Sequence, residues 1–478
     1  MRSKTSPDNA DESPKEPASS ETVPPTLAYE APCPERPASG SPTEPMLEQE
    51  SLPGPGHDPY AALRFRDFRV FQAGWMLAVI GSQMTSVAVA WEIFDRTGSK
   101  LALGWVAGIQ AVPLVFLALP AGALADAWDR RRIIQVTTFF AALCSIGLAV
   151  VSYRPGSVPL IYLLLLLLST AQTVGRPARW ALLPQIIPGS VFSNAVTWNA
   201  SVFQIASMTG PALAGVVIAR SLSRYHNVAA AYAFDAACGL GFCTMIFALP
   251  RPAYARPAPA GDADTSVFKK LSAGVRFVWS RQIILATMTL DLFAVLLGGA
   301  VYLLPVFAKD ILHVGSVGFG WLRAADAIGA FSMGMLIAHL PPMKRAGRSM
   351  LIAVAGFGLV TIVFGLSRNF WLSLAMLYLV GAFDNVSVVV RHSLVQILTP
   401  DSMRGRVSAV NNIFIGASNE LGGMESGLTA AAFGPIASVV AGGIGTVLVV
   451  LAVAATWPEI LRFGPLQPAE TGGKNPGL

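Results

Sequence analysis

Seven ionisable side chains stand inside stretches otherwise too apolar to hold them: Asp235, Asp291, Arg323, Asp326, Asp384, Glu420 and Glu425. A charge at the centre of a bilayer costs roughly 3 kcal/mol or more, so chains keep such groups where they bind, relay protons or pair with another charge. Asp291 lies about eight residues into its stretch, roughly 12 Å along a helix, far from either edge. Arg323 and Asp326 are three apart, share a helix face and can neutralise one another. Gln83 and Gln172 can offer neutral hydrogen bonds to a substrate. Other chemistries find no residues to carry them. The five histidines are scattered singly, with no H-E-x-x-H pair and no Cys/His spacing for a metal. No phosphate-cradling G-x-x-x-x-G-K-[ST] loop is present, so a built-in ATPase is excluded. No recognisable motif assembles a nucleophile, base and orienter, so the expectation is a non-enzyme without cofactor, metal or nucleic-acid partner.

The stretches that position these groups must be membrane helices. The 478 residues are 53% hydrophobic and 13% charged, with a mean hydropathy of +0.55, leaving too little polar surface to clothe a water-soluble globule. A span needs about 20 mostly apolar residues, and the segments are continuously apolar without the alternation of a β-barrel. Twelve spans are predicted, at about 71–94, 101–125, 133–153, 159–175, 195–219, 229–249, 283–307, 317–340, 349–366, 370–389, 408–431 and 436–457. Counted over the connecting segments, Lys and Arg number 22 on the side of the termini and no more than 7 on the other. The positive-inside rule then predicts that both termini are cytoplasmic.

Residues 1–58 hold 12 prolines and 11 acidic residues against four basic ones, and read as a disordered cytoplasmic tail. That tail carries −7, so the net charge of +6 leaves +13 to the remainder. The expected layout continues with a six-helix half at 59–250, a linker at 251–282, a second six-helix half at 283–460 and a short cytoplasmic tail at 461–478. Within the linker, Val267, Leu271, Val275 and Val278 fall at helical spacing among Lys269, Lys270 and Arg276, which predicts an amphipathic helix on the membrane surface. The halves echo one another. Gly104-Trp105 and Gly320-Trp321 each open a second span, 216 residues apart. Gln185-Ile186-Ile187-Pro188 and Gln396-Ile397-Leu398-Thr399-Pro400 repeat near an offset of 212, as in a duplicated transporter.

Between the second and third predicted spans the sequence runs from Gly122 through Asp126 and Asp129 to Arg130, Arg131 and Arg132. Gly122, Asp126, Arg130 and Arg131 match the loop motif of the major facilitator superfamily, which the chain resembles. Ala127 replaces a basic residue of that motif and Asp129 its second glycine. The Asp-Arg-Arg-Arg ending, Pro400-Asp401-Ser402-Met403-Arg404-Gly405-Arg406, and the run from Leu63 to Arg69 resemble the branch holding the enterobactin exporter and related drug exporters. The likeness covers residues 60–463. It implies an all-α membrane fold of twelve transmembrane helices in two six-helix pseudo-repeats, with spans one, four, seven and ten lining a central cavity. That placement singles out Asp291, then Asp384, as proton-coupling candidates. It implies a gate in which Asp126 with Arg130 or Arg131 bridges the halves, and sets Gln83, Gln172, Arg323, Asp326 and Glu420 as polar candidates in the cavity. Gly210, Pro211 and Gly215 resemble the helix-five motif of proton-driven exporters and equally suit plain close packing.

The function expected is export of a siderophore-, macrolide- or drug-like small molecule across a bacterial inner membrane, by proton-coupled alternating access in a monomer. An importer of the same fold, or a transport-incompetent scaffold or sensor, is the alternative.

Overall fold

The computed structural model describes residues 58–464 except 155–156, 226, 250–266, 342 and 344. The N-terminal tail to residue 57, the Pro/Ala start of the linker and the last fourteen residues lie outside the described residues. The first six helices are α1 (Arg66–Thr97), α2 (Lys100–Ala127), α3 (Arg130–Tyr153), α4 (Val158–Ile186), α5 (Phe192–Tyr225) and α6 (Ala229–Ala248). The linker helix α7 (Val267–Ser280) leads into α8 (Gln282–Leu297) and the single turn α9 (Leu304–Val306). Then follow α10 (Gly315–His339), α11 (Ala346–Leu366), α12 (Phe370–Leu398), α13 (Asp401–Phe433), α14 (Pro435–Thr456) and the short α15 (Glu459–Arg462).

Eleven spans are long and apolar enough to cross a bilayer. A further helix, α13, is 33 residues long, enough to cross, but carries Asn411, Asn412, Asn419, Glu420 and Glu425 and is not among those eleven; its glycine face is packed inside the bundle. Outer faces remain apolar and exposed, as on α3 (Val136, Phe139, Val150) and α11 (Ile352, Leu359, Leu366), a surface only lipid solvates without penalty.

Both halves use one packing plan. In the first, α1 lies against α5 and α6, α3 against α4 and α6, and α2 against α4. In the second, α8 lies against α13 and α14, α11 against α12 and α14, and α10 against α12. Position for position these are the same pairs, so the weak sequence repeat reports a real duplication.

Several boundaries differ from those expected. The seventh span is not continuous. It breaks after Leu297 at Gly298-Gly299 into a 3-10 turn, α9 and a wide turn over Phe307–Ile311. A Cβ on Gly299 would strike Ser426 of α13, so the glycine admits that helix at the break. The fourth span runs eleven residues past its predicted end at 175 and the tenth nine past 389, which lifts Arg176, Arg179 and Arg391 out of the loops where sequence counting put them. Long helices can extend beyond the hydrocarbon, so hydropathy alone ends them early. Removing those three residues from the count leaves the Lys/Arg bias intact. The linker helix α7 is packed on protein: Val278 is buried with Val395, Val407 and Val410, and Gly274 abuts the Arg406 carbonyl of α13.

A substrate cavity and its two ends

The bundle has a basic end, where α1 begins and Arg130, Arg131, Arg345 and Arg404 lie, and an opposite end where α2 begins. At the opposite end the halves are joined. Gly104 of α2 meets Gly427 of α13 backbone to backbone, and Gly215 of α5 meets Ser316 and Gly320 of α10. The repeated Gly-Trp dipeptides thus place their glycines at the two symmetry-related crossings between halves, where absent side chains let backbones touch. Trp91 of α1 stacks on Phe319 of α10 at 5.9 Å, and Asp95 pairs with Lys309 at 2.5 Å. Pro211 and Gly215 of the helix-five motif sit in one of these crossings, with the Pro211 carbonyl facing Gly320, while Gly210 packs on Gln83 and Ile80 of α1.

Toward the basic end the first half opens a cavity of about 680 Å³, lined by α1, α3, α4, α5 and α6. Its inner wall carries Gln83, which donates to Ser207 at 3.0 Å, and Gln172, which donates to Ser82 at 3.3 Å. Both glutamines line this cavity. Asp235 also reaches this wall, held by Thr85 at 2.9 Å and Ser145 at 2.6 Å, and so ties α6 to α1 and α3.

Aromatic rings of Phe71, Trp75, Trp180, Phe203 and Phe242 line the rest, with Arg176 and Arg179 among them. These two arginines escaped the sequence reading. The available signal was the spacing Gln172, Arg176, Arg179, one helical face. The Arg179 guanidinium lies 4.7 Å from the centre of the Trp75 ring. Gly175 makes room for it, since a Cβ there would stand 2.9 Å from Arg179 Nη1 and 2.7 Å from Thr137 Oγ1.

Across from Arg176 the second half contributes a charged group. Glu420 of α13 stands in the field of Arg176 and Arg323 without an ion pair to either among the described residues. Asp326 lies three residues after Arg323 on α10, its carboxylate beside Gly381 of α12, three residues before Asp384. Helix packing brings these groups together: Gly381 lets α12 approach the Asp326 backbone, as Gly329 does at Tyr378. The nominated Arg323, Asp326, Glu420 and Asp384 thus lie on α10, α12 and α13 of the second half, with no ion pair among them in the described residues and none of them on the wall of the large cavity.

Asp291 lines a small pocket of the second half together with Asp384. Its carboxylate pairs with Arg391 of α12 inside the second half, with side chains 9% and 2% exposed. It is not free on a cavity wall, because the longer tenth span buries a cation directly beside it.

The gate expected at the basic end is also unmade in this conformation. Arg130 donates to the Ala125 and Ala181 carbonyls, at 3.3 and 3.2 Å, and Arg131 to those of Ile246 and Phe247, at 3.0 and 2.7 Å. All belong to the first half, at the C-terminal parts of helices where cations suit the dipole. Asp129 caps α3, accepting from the Arg131 backbone at 3.0 Å. Asp126 is exposed and makes no ion pair among the described residues, and Gly122 has open space beside it. Among the described residues, Asp126, Arg130 and Arg131 make no ion pair to the second half.

Comparison with known proteins agrees with this architecture. The family described as transmembrane secretion effector matches residues 57–460. The enterobactin exporter EntS of Citrobacter koseri is 26% identical over 413 residues, 85% of this chain and 95% of the relative; that of Shigella boydii is 25% identical over 84% and 95%. Among solved structures, an inward-facing, unoccupied bacterial homologue of the human lysosomal transporter Spinster superposes with a TM-score of 0.66 at 15% identity, covering 85% of this chain and 98% of that one. The nucleoside transporter NupG gives 0.62 at 15% identity, with 82% and 99% covered. With its family match spanning nearly the whole membrane domain, the chain belongs to the transmembrane secretion effector family, a branch of the major facilitator superfamily of membrane transporters.

Proposed function

We propose that this transporter exports a small amphipathic molecule across a bacterial inner membrane by proton-coupled alternating access, with both termini cytoplasmic. The observation that carries the proposal is the asymmetry of the bundle. The halves are sealed by glycine crossings at one end, while a large aromatic cavity lies toward the Lys/Arg-rich end, which the positive-inside rule assigns to the cytoplasm. Substrate drawn from the cytoplasm enters such a state directly. The exporters among the relatives support the same direction.

For coupling we favour Asp384: Asp291 is engaged by Arg391, whereas Asp384 has no ion-pair partner among the described residues and lies one helical turn beyond Gly381, which abuts the Asp326 carboxylate. A proton shared between two neighbouring carboxylates relieves their repulsion and can be exchanged as access alternates. The test is transport in proteoliposomes under an imposed pH gradient. Asp384→Asn should abolish uphill, pH-driven efflux and leave downhill counterflow intact. If pH-driven efflux survives, coupling lies elsewhere, with Glu420 and Asp326 next. Accumulation of substrate by expressing cells in place of depletion would show an importer, and no flux of any compound a scaffold.

A further inference from the structure

Resting on the transport reading above, we infer that the cavity recognises organic anions carrying a planar aromatic system, with Arg179 on Trp75 as the anchor. Three observations carry this. First, Arg176 and Arg179 are three residues apart on one face of α4, both turned into the cavity, a like-charge arrangement that destabilises a helix unless something compensates. Second, neither has an ion-pair partner within 4 Å among the described residues. Arg176 feels Glu420 from the opposite half, but the charged group acting most on Arg179 is Arg176 itself. Arg176 is exposed and Arg179 half-buried in the cavity, unlike the fully buried and paired Arg391, so their donors are open to a ligand.

Third, Arg179 is held in place. Its guanidinium lies over the Trp75 ring and fits the clearance left by Gly175, and its planar fork can present the paired donors that suit a carboxylate, sulfonate or phenolate. Rings of Phe71, Trp180 and Phe203 beside it give an aromatic body somewhere to stack. The other carboxylate on this wall, Asp235, is already engaged by Thr85 and Ser145 and so competes little for Arg179.

The test uses the full chain in nanodiscs and two xanthene dyes of similar frame and opposite charge, fluorescein and rhodamine 123. Binding is read by fluorescence anisotropy with no gradient present. Fluorescein should bind and rhodamine 123 should bind at least about tenfold more weakly, the factor of one charge-assisted hydrogen bond. Arg179→Gln should weaken fluorescein by a similar factor. Arg179→Lys, which keeps the charge but loses the flat fork, should fall between, and thermal unfolding should show both variants folded. Unchanged fluorescein binding in folded Arg179→Gln, equal or tighter rhodamine binding, or binding of neither dye overturns the inference. The two readings separate in proteoliposomes. Fluorescein bound but never moved sinks the export reading and leaves the anion site standing; rhodamine moved in preference to fluorescein does the reverse.

Discussion

Neutralising Asp291 should unfold this protein more readily instead of merely uncoupling it. The carboxylate is the ion-pair partner of Arg391, and the two side chains are 9% and 2% exposed. Nε of Arg391 has no hydrogen-bond partner among the described residues, so Asp291 supplies most of what compensates a guanidinium taken out of water. Asp291→Asn removes the charge and leaves the cation stranded between α8 and α12, a loss of about 3–5 kcal/mol for a buried pair broken on one side. Removing both charges costs far less, because a well-packed apolar pair is often neutral or better. Asp291→Leu with Arg391→Met should therefore recover most of the stability lost in either single variant. The assay is thermal unfolding of the detergent-purified protein, followed by size-exclusion of the surviving fraction, across the two single variants and the double. Asp291→Asn with a wild-type melting temperature but no pH-driven efflux would refute the reasoning and return Asp291 to the coupling role expected from sequence.

Three further outcomes follow from particular contacts. A Cβ on Gly320 would stand 2.5 Å from the Pro211 carbonyl and 3.0 Å from the Gly215 Cα. Gly320→Ala should cost this conformation about 1–3 kcal/mol, shifting the population toward opening at the opposite end by about 5- to 150-fold. Reduced labelling of Asn199→Cys, in a background with the native cysteines replaced, reports the shift, and unchanged labelling refutes it. Asp126→Asn should leave folding intact yet raise labelling from the basic end, because the carboxylate is needed only when that end closes; equal labelling and turnover reduce it to a topology signal. Tyr232 donates to the buried Glu92 at 2.6 Å, and Glu92 pairs with Arg96 at 2.5 Å. Tyr232→Phe should lower stability by about 1.5–3 kcal/mol, the worth of a hydrogen bond to a charged group, and leave the affinity for substrate unchanged in a binding assay.

Much of this molecule was legible in one dimension because a bilayer imposes a one-dimensional rule: a segment must be apolar and about 20 residues long to cross it. The all-helical membrane fold, its repeat in two halves, the clustering of arginines at one end and the repeated Gly104 and Gly320 all follow from composition and spacing. The glycines at 210 and 215 were visible too, but whether they serve packing within a half or contact between halves depends on which helix lies opposite. What each charge does was decided by tertiary structure alone. Asp291 and Asp384 look alike as aspartates in apolar runs, yet Arg391, one hundred residues from Asp291, claims the first and leaves the second without an ion-pair partner among the described residues. Arg176 and Arg179 read as loop residues because hydropathy ends a span at its first charges, whereas the α4 backbone continues for as long as packing supports it. A side chain's electrostatic role is set by neighbours distant in sequence, and only the folded bundle brings those neighbours within reach.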